Sequence, residues 1–116
     1  MKRYMAIFLG APEAFEKWRQ QDEATRKARE AKGMQAWHEW QAKHRPIIVD
    51  GGGPLGKTKR TDARGVSDVT NAIGGYIIVE AESHEAAARL FENHPHFSIL
   101  PGNAVEIMPC NPIPTT

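Results

Sequence analysis

Two short segments of this chain are apolar on both of their alternating sides. In the first, Tyr4, Ala6 and Phe8 alternate with Met5, Ile7 and Leu9; in the second, Tyr76 and Ile78 alternate with Ile77 and Val79. Side chains along a β-strand point alternately to opposite faces, so a strand with no polar side must be covered from above and below. Whatever architecture the remaining residues build has to supply two layers for one sheet. The first segment also resembles the front of a secretion signal, but its apolar run stops at Gly10 and passes into a charged stretch without a small-residue cleavage pattern, so it reads as a strand.

The elements between these strands follow from local signals. Pro12 and Glu13 open a helix after Ala11, with proline accepted in the first turn and the carboxylate at the positive end of the dipole. An inward stripe continues through Phe15 and Trp18, then Ala24, Ala28 and Ala31, then Met34, Trp37 and Gln41, reaching about His44. An unbroken helix of that extent would be about 45 Å long, too long for a domain of this size, so a break is expected. Asp22 is the stronger candidate, as the cap of a second helix, and Gly33 the weaker.

Pro46 ends the helical region, and Ile47 to Val49 form a short strand leading to Asp50 and three glycines. Leu55 to Thr61 continues extended, and Asp62 to Gly74 reads as a hairpin or loop with a short strand around Val66. Gly75 to Ala81 is the clearest strand. Ser83 then caps a short helix from His84 to Asn93, which His94 and Pro95 end. Asn103 to Met108 is the last strand, and a proline-rich tail begins at about residue 109.

This order predicts one domain spanning 1–116, of α+β class: a ferredoxin-like βαββαβ antiparallel sheet with two helices on one face. Two helices leave the second apolar face of the sheet bare. The simplest cover is another copy of the same sheet, giving a homodimer with a cavity between the sheets, a dimeric α+β barrel.

Composition narrows the function classes. Charged side chains make up 25% of the 116 residues and nearly cancel, to a net charge of +1, which argues against nucleic acid as the partner. Cys110 is the single cysteine, so no internal disulfide or cysteine-based zinc cage forms and a reducing, cytoplasmic setting is expected. No apolar run approaches the roughly 20 residues that cross a bilayer, so no membrane role is expected. The glycine-rich stretch Gly51 to Gly56 with Lys57 lacks the spacing of a phosphate-binding loop.

Candidate site residues cluster around two histidines. His94 and His96 flank Pro95, and in an extended segment alternate spacing turns both side chains the same way, as an acid/base pair near neutral pH or as two ligands of a metal; the alternative is one histidine at a helix end and one in solvent. No third ligand is identified, so no metal is assigned. Asp50, at a strand end before the glycines, either reaches a cavity mouth or forms a local turn. Trp37, Ser67, Asp68 and Tyr76 are candidates for the wall around a bound small molecule, against roles in packing and polar turns.

Several strings, taken in order, resemble the YCII-related family of small bacterial proteins: Trp37 to Trp40, Val49 to Lys57, Gly65 to Asp68, Gly75 to Ala81, His94-Pro95-His96 and Val105 to Met108. The resemblance covers nearly the whole chain and implies a dimeric α+β barrel, which agrees with the strand argument above. It also implies a mostly unassigned function, with an enzymatic role in some members resting on a first-helix histidine and an aspartate just before a proline after the second helix. Here the residue before Pro95 is His94, and the nearest first-helix histidine is His38. The resulting expectation is a small-molecule enzyme of isomerase or lyase type without an organic cofactor, using His94 with Asp50 as acid and base and His96 beside them. The competing expectation is a dimer that binds a ligand or regulates a partner without chemistry.

Overall fold

The computed structural model describes residues 1–114, so the last two residues of the proline-rich tail lie outside the described residues. Strand β1 (Lys2–Leu9) is followed by helices α1 (Pro12–Arg19) and α2 (Glu23–His44), then a single 3-10 turn (Arg45–Ile47) that contains Pro46. Strands β2 (Ile48–Pro54), β3 (Thr58–Asp62), β4 (Gly65–Val69) and β5 (Ile73–Ala81) come next, then α3 (His84–Arg89), α4 (Pro95–Ser98) and β6 (Ala104–Pro109).

β2, β5, β1 and β6 form one sheet in that spatial order, with every neighbouring pair antiparallel. This is the ferredoxin-like arrangement of the α+β class, in which β5 separates the two strands joined by the long helical crossover. The expected helix break falls at Asp22, whose Oδ1 accepts the Thr25 backbone N–H at 2.7 Å. Gly33 does not break α2. It lets the helix approach the segment before β6, because a Cβ there would lie 2.5 Å from a Leu100 methyl.

α2 and α3 lie on the same face of the sheet. Tyr4, Ala6 and Phe8 of β1 and Ile77 and Val79 of β5 are buried beneath Trp37 and Trp40 from α2 and Ala87 from α3. Only part of the expected α2 stripe takes part. Ala24, Ala28 and Ala31 are exposed and Met34 is 49% exposed. A helix of 22 residues is about 33 Å long, and its first half overhangs the sheet where alanines bury little area in any case.

Met5, Ile7, Leu9, Tyr76 and Ile78 form the opposite face, half-buried by one another and by neighbouring strands but covered by no helix. The apolar second face predicted from strand alternation is therefore present and open in the single chain.

Two segments differ from the sequence-based expectation. β2 runs on through the three glycines to Pro54, with register shifts either side of Asp50. Gly52 takes a φ of +60° there, and its missing Cβ leaves room for the carbonyl of Tyr76. The segment 58–69 is a complete hairpin, β3 with β4, closed at Gly65 with φ +113°. It forms a separate two-stranded sheet. The Cα radius of gyration, 16.2 Å, exceeds the roughly 13 Å usual for this chain length, as expected for a body with a projecting arm.

Candidate functional site

The helix that begins at Ser83 ends earlier than its apolar spacing predicts. Its backbone turns at Asn93, where φ is +56°, and His94 then becomes the N-cap of α4 with Pro95 in the first helical position. Histidine and proline here start a helix as well as follow one. His94 Nδ1 accepts the backbone N–H of His96 at 3.0 Å, the satisfaction of an orphan donor that a cap provides.

His94 has no exposed surface. Its ring is enclosed by Trp37, Trp40, Phe8 and Phe91, with centroids 4.6, 4.9, 5.2 and 5.8 Å away. Burial pushes its pKa down to about 4, with the nearby charges that His96 and His44 would carry adding to the effect. The ring is therefore neutral at pH 7. Because Nδ1 is an acceptor, its proton resides on Nε2, and this buried N–H has no hydrogen-bond partner among the described residues. The walls it meets are aromatic. The edge-to-face contact with Trp37, at an interplanar angle of 88°, offers at most a weak N–H to ring interaction.

His96 is half-buried beside it, its ring 5.2 Å from Phe8 and 6.1 Å from Trp37. Nε2 lies 2.6 Å from the Leu9 carbonyl, which requires an N–H at that nitrogen. Burial lowers its pKa, and the backbone carbonyls of Leu9 and Ala104 oppose that by favouring the protonated ring. Gly102 makes the position possible, since a Cβ there would overlap the imidazole. Both histidines thus pack into one closed aromatic cluster with Phe8 of the sheet and Trp37 of α2. They converge through a helical turn, not through the extended spacing that the sequence suggested.

Of the other predicted residues, Trp37 joins them, half-buried at 4.8 Å from Phe8, and Asp50, Tyr76, Ser67 and Asp68 do not. Asp50 pairs in register with Ile78, on the open face of the sheet and so on the opposite side from His94. Its carboxylate accepts the Gly52 N–H at 2.8 Å, the turn-forming role weighed as the alternative. The expected His94 and Asp50 pair is therefore not formed within the chain, because β2 bulges at the glycines and carries Asp50 to the open face. Tyr76 lies on that face too, opposite Ile7. Ser67 and Asp68 sit on the projecting hairpin, where Asp68 pairs with Lys59 at 2.6 Å.

Sequence reasoning missed several members of the cluster. Phe8 is legible in the sequence only as an apolar strand residue, and Phe91 carries no signal of a site. Trp40 was legible as a neighbour of Trp37, but its use of Nε1 to bond the Leu90 carbonyl at 3.1 Å, which anchors the wall, carries no sequence signal. His44, half-buried at the end of α2, packs 4.5 Å from Trp40, while His84 is exposed at the start of α3 and stacks on Tyr4 with Nε2 2.7 Å from the Ile107 carbonyl.

Two open clefts complete the picture, and neither is lined by His94 or His96. One of about 390 Å³ lies between His38, Gln41 and Arg45 of the helical region and Ile48 and Gly51 of β2. The other, about 520 Å³, lies between α1 and the segment Thr70 to Ala72 that joins β4 to β5. Among the described residues, no group of three or more His, Cys, Asp or Glu lies together as metal ligands would. Among them, too, no helix is long and apolar enough to cross a membrane.

Neither known protein families nor curated proteins match the chain. Among solved structures, it is similar to 5-chloro-2-hydroxyhydroquinone dehydrochlorinase from Burkholderia phenoliruptrix AC1100 in complex with 2,5-dihydroxybenzoquinone. The TM-score is 0.55 at 19% identity, over 91% of this chain and 90% of that one. At that identity the likeness establishes a shared fold, in agreement with the ferredoxin-like sheet described above.

Proposed function

We propose that this chain is a YCII-related single-domain protein, residues 1–116, acting as a cytoplasmic homodimer on a small ring-bearing molecule by acid/base chemistry without an organic cofactor. One observation carries the reading: a neutral, fully buried His94 whose Nε2–H has no protein partner and faces aromatic walls. A buried donor left unpaired costs stability, so a group retained in that state is a candidate for use on a ligand.

The chemistry follows from the nitrogens. With Nδ1 held by the His96 backbone, His94 presents a donor that polarises a substrate carbonyl or hydroxyl oxygen without delivering a full charge. His96 is the proton carrier beside it, taking the place in the pair that the sequence had given to Asp50. An isomerisation or elimination needs only these two functions and a sheltered pocket. Trp37 supplies a flat wall and, being only half-buried, is the side chain that moves to admit a substrate. A fold shared with a dehydrochlorinase held with a dihydroxybenzoquinone supports a hydroxylated ring as the substrate class. The open apolar face of the sheet supports the dimer.

Turnover of a panel of hydroxylated quinones, phenols and carboxylates, followed by absorbance and mass spectrometry, tests the proposal. His94→Gln and His96→Gln should each abolish it, and unchanged turnover in His94→Gln would remove the histidine from the mechanism. The complete burial of His94 favours a second reading, a dimer that binds a ligand without transforming it. Thermal stabilisation by a panel compound with no product formed would select that reading.

A further inference from the structure

The hairpin of β3 and β4 is fully paired from Thr58 with Val69 to Asp62 with Gly65, yet all of its strand residues except Thr58 and Val69 are exposed. It packs closely only on itself. Its ion pairs, Lys59 with Asp68 and Arg60 with Asp62, are internal and exposed, and each adds little stability. An isolated two-stranded hairpin is marginal in water. Val66, 69% exposed near its tip, adds an apolar side chain with nothing to cover it.

We propose that this hairpin is an arm that lies across the open sheet face of a second copy of the chain. The inference rests on the dimer reading above and adds how the dimer is clasped. Three observations select a second copy as the occupant. The arm's chain leaves the edge strand β2 and returns into its neighbour β5, so this separate hairpin hangs from the edge of the sheet whose open face needs cover. Five paired residues span about 17 Å, enough to cross a four-stranded sheet whose outer strands are about 14 Å apart.

Charge also matches. The open face carries Asp50, Glu80 and Glu106 against one cation, Arg3, none of them in an ion pair among the described residues, while the arm carries Lys59, Arg60 and Arg64 against Asp62 and Asp68, with Arg64 at its tip unpaired. Two-fold symmetry lets each arm use the other subunit's face, which closes the assembly at two copies. Ser67 and Asp68 then belong to the partner's surroundings, which explains why they line nothing in their own subunit.

The test combines sedimentation equilibrium with amide hydrogen exchange on the full chain over a range of concentrations. The expected result is a dimer in which the amides of residues 58–69 are protected, with protection falling on dilution in step with dissociation. Val66→Asp should raise the dimer dissociation constant about tenfold or more with an unchanged far-ultraviolet spectrum. A dimer whose hairpin amides exchange freely, or whose dissociation constant ignores Val66→Asp, overturns the arm while leaving the dimer intact. A monomer at all concentrations removes the dimer itself, and a hairpin protected in that monomer shows that it needs no partner.

Discussion

Lowering the pH from 7 to 4 charges His94 in the unfolded chain well before it charges it in the folded one. Unfolded histidine titrates near 6.5, whereas the buried ring titrates at about 4. Between those values the unfolded state holds a proton that the native state lacks, so stability rises with pH across this window and is lost as the pH falls through it. A separation from 6.5 to about 4 corresponds to about 3 kcal/mol, a large part of the 5–15 kcal/mol typical of a domain. His44 and His96 are shifted in the same direction and add to the slope. Asp22 is also shifted down, by the Thr25 backbone N–H, and its contribution is lost only as the pH falls through and below the ordinary carboxylate range. Urea unfolding followed by tryptophan fluorescence at pH 7, 6, 5 and 4, at one protein concentration, gives the wild-type profile. The His94→Leu profile should be flatter by about 3 kcal/mol over the whole interval, with His94→Gln as the second variant if leucine prevents folding. Parallel profiles for wild type and variant would refute the neutral, sealed state of His94 and, with it, the tautomer on which its donor role depends.

Gly102→Ala should expel the His96 ring, because the added methyl would overlap it, and so break the bond to the Leu9 carbonyl. The expected cost is about 2 kcal/mol in urea unfolding, with a changed imidazole nitrogen spectrum for His96. Ser83→Ala removes the acceptor of the Ala86 N–H, 3.0 Å away, and should lower stability by about 1 kcal/mol without altering the histidine signals.

What the sequence discloses and what it withholds divide along the range of the forces involved. The doubly apolar strands, the cap at Asp22 and the cap at Ser83 are local matters of alternation and hydrogen-bonding capacity, and each is found where those rules place it. The pairing of His94 with Asp50 depended on a face, and faces depend on counting residues through the whole strand. The register shifts flanking Asp50 alter that count, and nothing in a run of glycines says how many residues will bulge. His94 itself was read as a helix stop because proline follows it. The same dipeptide suits a helix start equally well, and the choice was made by the left-handed turn at Asn93, a residue type that favours that conformation just past a helix end.

Alternation along β1 has a further consequence for how the site and the proposed interface are connected. Tyr4, Ala6 and Phe8 face the helices, so Phe8 forms part of the histidine cluster; Met5, Ile7 and Leu9 face the open side that a second subunit would cover. The two regions share a strand but no side chain. Leu9 is the point where they touch, since its carbonyl receives the His96 N–H while its side chain belongs to the open face. Shortening that side chain should weaken the proposed dimer packing without removing the carbonyl, so any change in His96 titration in Leu9→Ala would travel through the backbone. The proposed dimer contact and the proposed proton transfer are therefore separable by substitution in this fold, with the last residue of β1 as the position where they would be coupled.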